Sequence, residues 1–126
     1  MILNKKERDA LSEAAVNASN NAYAPYSHIR VGAAVMCSDG SIFHGCNVEN
    51  ASYGATVCAE RVAVSAAIAG GHKDIKAIAV FSPDIKDIKP CGICRQFIAE
   101  FSPNITVITE NYVKTISELL PDTFYL

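Results

Sequence analysis

No run of apolar residues in this chain approaches the roughly 18 needed to cross a bilayer, although half of its residues are hydrophobic. A membrane span is therefore not expected. The stretch from Met1 to Asp9 is charged and has no apolar core, so no secretion signal is read there. A large excess of either charge is also lacking. Eleven basic residues stand against thirteen acidic ones, a net charge of −2. A chain without a basic excess has no electrostatic footprint for a nucleic-acid polymer. No repeat, low-complexity tract or linker interrupts it. The 126 residues read as one domain, 1–126, with a single core. The five cysteines are an odd number, and with no secretion signal a disulfide framework is not expected. A reduced, cytoplasmic chain with clustered cysteines points to metal binding or catalysis. Cys37 and Cys46 lie in apolar segments and read as small buried hydrophobes.

Periodicity supplies the elements. Residues 5–20 place Leu11, Ala14, Ala15 and Ala18 at helical spacing and predict a first helix, ended by Asn20-Asn21 and Ala24-Pro25. Apolar runs at 31–36 and 42–48 flank Ser38-Asp39-Gly40 and predict a β-hairpin. Residues 57–69 predict a buried helix stopped by Gly70-Gly71. A strand is expected over 75–81, a helix over 91–101 behind Pro90, and strands over 105–109 and 112–116. A helical turn follows at 117–120. The order α-β-β-α-β-α-β-β predicts an α/β fold: three layers, α/β/α, around a five-stranded mixed sheet.

The chemistry concentrates in Cys58-Ala59-Glu60-Arg61 and Pro90-Cys91-Gly92-Ile93-Cys94-Arg95. Cys58, Cys91 and Cys94 offer three thiolates, which leaves tetrahedral zinc a fourth position for water. Glu60, a carboxylate that need not be a ligand, can then move protons. Cys58 falls in the first turn of one predicted helix, Cys91 and Cys94 in the first turn of another. Free N–H groups and the helix dipole favour thiolates there. A structural zinc site would want a fourth ligand. His28, His44 and His72 lack ligand spacing and read as surface or hydrogen-bonded histidines. A redox Cys-x-x-Cys pair would give Cys58 and Glu60 no role.

Zinc with three thiolates has a formal charge of −1, which makes it a weak Lewis acid unless charge is drawn off the sulfurs. Arg61, in an otherwise apolar helix, is expected to donate hydrogen bonds to them. For Arg95 a structural or interface role is equally open.

With these residues in view, the chain resembles the small, homotetrameric, zinc-dependent cytidine deaminases over about Tyr23 to Phe124. The zinc pattern marks the wider group of nucleobase deaminases. Ala24-Pro25-Tyr26-Ser27, Val31-Gly32-Ala33-Ala34, Gly45-Cys46-Asn47-Val48-Glu49-Asn50-Ala51 and Leu119-Leu120-Pro121 carry the narrower likeness. The resemblance implies a cytidine deaminase-like fold, one Zn²⁺ per subunit, and a homotetramer with shared active sites. It also implies hydrolysis of cytidine and 2′-deoxycytidine to the uracil nucleosides and ammonia, in pyrimidine salvage. Glu60 becomes the proton shuttle. Asn47 and Glu49 hold the ribose, and Ala59 offers its N–H to the cytosine carbonyl. Phe124 closes over the base of a neighbouring subunit. Tyr53 and Tyr26 lie near the pocket or its interface. The chain departs from the family at Ile29, where many relatives carry an aromatic on the pocket wall, and in the short tail after Phe124.

Three other readings stay open. One is a deaminase of another cytosine-bearing molecule, such as a blasticidin-type antibiotic, against which the Asn47-Val48-Glu49 pair argues. Another is a polynucleotide editor, against which the charge argues. The third is a structural zinc module, against which Glu60 and the missing fourth ligand argue.

Overall fold

A computed structural model describes residues 3–126; Met1 and Ile2, part of the charged N-terminal stretch, lie outside the described residues. A helix α1, Lys5–Ser19, comes first. Asn4 starts it with a capping box, its side chain accepting from the Glu7 N–H while Glu7 reaches back to the Asn4 N–H. Strands β1, Gly32–Cys37, and β2, Ile42–Cys46, form the hairpin. A short 3-10 turn, Tyr53–Ala55, leads into α2, Ala59–Ala69. Then come β3, Ile75–Phe81; α3, Gly92–Ala99; β4, Thr106–Ile108; β5, Val113–Thr115; and a closing turn of helix, α4, Ile116–Leu119.

The sheet order is β2-β1-β3-β4-β5. β1 runs antiparallel to both β2 and β3, β3 and β4 are parallel, and β4 and β5 are antiparallel. This is the mixed sheet expected from the element order. Every residue of β1 is buried, as a central strand covered on both faces requires. Its side chains alternate between two cores. Ala33, Val35 and Cys37 join α2 and α3 on one face, and Ala34 and Met36 join α1 on the other. These two cores are the gaps between three layers.

Close approach of backbones sets the helix positions. A Cβ on Gly32 would lie 1.9 Å from the Ala15 carbonyl oxygen of α1, and one on Gly45 would lie 2.6 Å from the Ala63 nitrogen of α2. No side chain larger than hydrogen fits either place, and Gly45 thereby seats α2 directly on β2.

Two boundaries differ from expectation in a way that matters. Cys58 and Cys91 are not in the first helical turns but one residue before them. Both have extended backbone, ψ 153° and 172°, at the N-cap positions of α2 and α3. β2 also ends at Cys46, so Asn47 and Glu49 lie beyond it. Val48 between them still makes isolated bridges to Tyr23 and Val57.

Candidate active site

The N-termini of α2 and α3 come together. Cys58 at one N-cap, Cys91 at the other and Cys94 one turn into α3 bring their sulfurs within 4.8 Å of one another. Cys58 Sγ and Cys91 Sγ are 3.9 Å apart. Tetrahedral zinc with Zn–S bonds of about 2.3 Å places its sulfurs about 3.8 Å apart. The donor set and its spacing therefore fit one zinc ion. Cys58 falls to about 5, first through a hydrogen bond from Cys94 and then through Arg61. Cys94 is pushed strongly upward by that same bond and by burial.

Arg61 lies where the charge balance asks for a cation. Its Nη2 donates to Cys58 Sγ at 3.4 Å and to the Thr56 carbonyl at 3.4 Å. Its Nε is buried without a hydrogen-bond partner. Arg95 resolves toward structure: Nε donates to the Pro90 carbonyl at 2.8 Å and Nη1 to the Leu119 carbonyl at 3.0 Å, which ties the start of α3 to α4.

Glu60 is only 4% exposed, at the first turn of α2. Burial raises its carboxyl to about 7, with the Cys58 charge adding to the rise. A buried carboxyl able to exist in both protonation states near neutrality is suited to carry a proton in either direction.

Beside the cluster opens a cavity of about 320 Å³. Asn47, Ala59, Glu60, Ile29, Cys58 and Cys91 all border it. Asn47 is nearly buried, and its amide clamps the chain that precedes β1: Oδ1 accepts from the Val31 N–H and Nδ2 donates to the Ile29 carbonyl, each at 2.8 Å. Glu49 borders an adjoining cavity with Tyr26, Asn50 and Tyr53, and the two cavities share Ser27 and Thr56. Its carboxylate accepts the Ser27 hydroxyl and the N–H groups of Tyr26 and Ser27, which hold it below the ordinary carboxylate range, the Ser27 hydroxyl foremost. Tyr53 is 78% exposed and meets Tyr26 edge-on at 6.3 Å.

Phe124 does not reach the cavity of its own chain. Gln96 grips its backbone at both ends, with Nε2 donating to the Phe124 carbonyl at 2.8 Å and Oε1 accepting its N–H at 3.3 Å. Phe124 as a whole is 67% exposed. Histidine takes no part in the cluster; His72 instead bridges Asp39 at 3.1 Å and the Gly70 carbonyl at 3.1 Å.

Sequence reasoning missed the second wall of the cavity. Ile85, Ile88 and Lys89 come from the loop between β3 and Cys91, and Val31, just before β1, lines the cavity as well. Two isoleucines in a short, otherwise polar loop just before a metal pair were the available signal.

Three thiolate positions, a buried carboxyl beside them and an adjoining cavity define a zinc hydrolase. Residues 5–110 match the family model for the cytidine and deoxycytidylate deaminase zinc-binding region. The chain belongs to the cytidine deaminase family. It is 44% identical over 124 residues to the cytidine deaminase of Halalkalibacterium halodurans, covering 94% of each chain. The crystal structure of cytidine deaminase from Burkholderia pseudomallei superposes with a TM-score of 0.86 at 47% identity, over 92% of this chain and 98% of that one. A blasticidin-S deaminase of Bacillus cereus is 36% identical over 103 residues, covering 72% of this chain and 74% of its own.

Proposed function

We propose that this protein catalyses the zinc-dependent hydrolysis of cytidine and 2′-deoxycytidine to uridine and 2′-deoxyuridine, releasing ammonia. Buried Glu60, set between a three-sulfur cluster and a cavity of about 320 Å³, is the observation that carries this reading. Cys58, Cys91 and Cys94 hold the metal. When bound, zinc supplies Lewis acidity that makes the water in its fourth position a nucleophile near neutral pH.

Every other task falls to the protein. Glu60 accepts a proton from the attacking water and passes it to N3 of the ring. A C4–O bond forms, and C4 becomes tetrahedral. Glu60 then takes the proton of the new C4 hydroxyl and gives it to the amine; the C4–N bond breaks as C4=O forms, and ammonia leaves. Ala59 offers its backbone N–H to the cytosine carbonyl. Arg61 draws charge from the Cys58 sulfur. Asn47 and Glu49 hold the sugar hydroxyls. Both already have hydrogen-bond partners in the protein, so the ribose meets preset groups rather than mobile ones. Ile29 supplies apolar wall, and Tyr53 lines the outer mouth.

The whole of residues 1–126 serves as one deaminase domain, placed in pyrimidine salvage in the cytoplasm, with no polynucleotide partner. No helix among the described residues is long and apolar enough to cross a membrane. The assembly is a homotetramer, a reading that the exposed, backbone-anchored Phe124 supports: a large ring held outward by its own chain suits a neighbour's site.

The test is ammonia release by zinc-loaded protein from cytidine, deoxycytidine, free cytosine and blasticidin S in parallel. Turnover of both nucleosides and not of the free base is expected. Turnover confined to blasticidin S would overturn the nucleoside reading and leave the metal site standing.

A further inference from the structure

The cavity has two walls drawn from distant parts of the chain. Ile29 and Val31, just before β1, form one; Ile85 and Ile88, in the loop that leads from β3 to Cys91, form the other. A dense hydrogen-bonded cluster joins them, and nothing in the deamination steps requires it. Asp84 Oδ2 accepts from the Arg30 backbone N–H at 2.8 Å and from Arg30 Nε at 3.0 Å, while Oδ1 accepts from Nη2 at 3.0 Å. Ser82 Oγ donates to the Arg30 carbonyl at 2.6 Å and accepts the N–H groups of Asp84 and Ile85, each at 3.2 Å. The loop thus holds both the N–H and the carbonyl of Arg30. From the other side, Asn47 holds Ile29 and Val31.

Residues 29–31 are therefore clamped on both flanks, and the neighbours of the latching residues are the ones that border the cavity. The far loop has no helix or strand of its own, and Asp87 within it adopts the left-handed region at φ 60°. Such a segment needs an external anchor to keep one conformation. An exposed ion pair does little for global stability. A bidentate fork with two backbone bonds does fix geometry. Arg30 also holds the Asp84 carboxyl at about 2, so the pair is ionised throughout the neutral range.

We propose that Arg30 and Asp84 form a positioning latch that sets the separation of the two aliphatic walls, and with it how tightly the cavity holds its substrate. The proposal rests on reading this cavity as the nucleoside site. Neither residue takes part in the chemistry, so the latch acts on binding.

The test compares zinc-loaded wild type with Arg30→Met, Asp84→Ala, the double variant and Arg30→Lys, measuring kcat and KM for cytidine, zinc content, and trypsin cleavage after Lys86. Each single variant should raise KM about tenfold, equivalent to roughly 1.4 kcal/mol of binding. kcat should stay within about twofold, the signature of lost uniform binding, with zinc content unchanged. The double variant should be no worse than the weaker single, because the two residues act as one unit. Arg30→Lys keeps the charge without the fork and should fall between. Cleavage after Lys86 should quicken in both single variants. An unchanged KM, or additive losses in the double variant, would overturn the latch. If wild type does not turn over cytidine, the functional reading fails instead, and the cleavage rates decide alone: faster cleavage upholds the latch and unchanged cleavage rejects it.

Discussion

In the proposed mechanism, Arg61 is the side chain that decides how reactive the metal site is. Three thiolates neutralise zinc and leave excess negative charge, which weakens its hold on a nucleophile's lone pair. The guanidinium 3.4 Å from Cys58 Sγ draws some of that charge away. Its half-buried position, with Nε wholly enclosed, limits competition from water. Arg61→Ala should therefore lower kcat about 10- to 100-fold, as losses of ligand-orienting partners commonly do. The sign of the accompanying pH effect follows from charge. Removing a cation makes the nucleophilic water less acidic, so the rising limb of the pH–rate profile moves to higher pH. Steady-state rates across pH, with zinc measured on the same samples, check this. A profile identical to wild type would show that the sulfurs do not need the arginine. Glu49 illustrates the opposite economy of roles. Its carboxylate is already committed to Ser27 and two backbone N–H groups, so it stays ionised and its position is set before any sugar arrives.

Among the elements, α2 matters most because it carries Cys58 at its N-cap and Glu60 in its first turn. Gly45 on β2 lets it sit there. A Cβ at that residue would meet the Ala63 nitrogen at 2.6 Å and Val62 side-chain atoms at 2.8 Å. Gly45→Ala must push the helix off the sheet, at a cost of about 1–3 kcal/mol as overpacking usually brings. A lower Tm together with substoichiometric zinc is expected from calorimetry and metal analysis; full zinc at unchanged Tm would contradict the seating role. The helices, hairpin and sheet order of types were legible in the sequence because 3.6- and 2-residue periodicities stand out where one face is buried. The ends were less so. Cys58 and Cys91 were read as helical and are N-caps, since a cap residue differs from its successor in backbone angle and not in composition. The three sulfurs and Glu60 were legible because each half of the pattern is compact, Cys58 with Glu60 and Cys91 with Cys94, even though 33 residues separate Cys58 from Cys91. Ile85, Ile88 and the Arg30–Asp84 pair were not, because the two partners are 54 residues apart and only the fold brings them together.

At the scale of the whole molecule, the chain gathers its three candidate metal ligands by itself but keeps Phe124 out of its own cavity. Phe124 is held by Gln96 on α3, with Tyr125 donating its hydroxyl to the Ala99 carbonyl at 3.3 Å, so the tail is fixed while its ring faces outward. The proposed sharing of sites makes a specific prediction. Phe124→Ala and Glu60→Gln should each be poorly active alone. Co-expressed, they should recover activity, because sites with an intact Glu60 can be covered by Phe124 of a Glu60→Gln subunit. Activity of purified mixed oligomers, sized by light scattering, checks this. Activity no greater than that of the Phe124→Ala enzyme would place the ring's role within its own chain or nowhere.

The most direct measurement of the central claim is cytidine turnover by wild type and Glu60→Gln, side by side at matched zinc content. The glutamine keeps size and hydrogen bonding but cannot shuttle a proton. We predict full zinc occupancy in both and a kcat lower by about 10²- to 10⁴-fold in the variant, the usual range for loss of general acid–base catalysis. Comparable turnover by the two proteins would contradict the account, for it would mean that the proton passes through some other group.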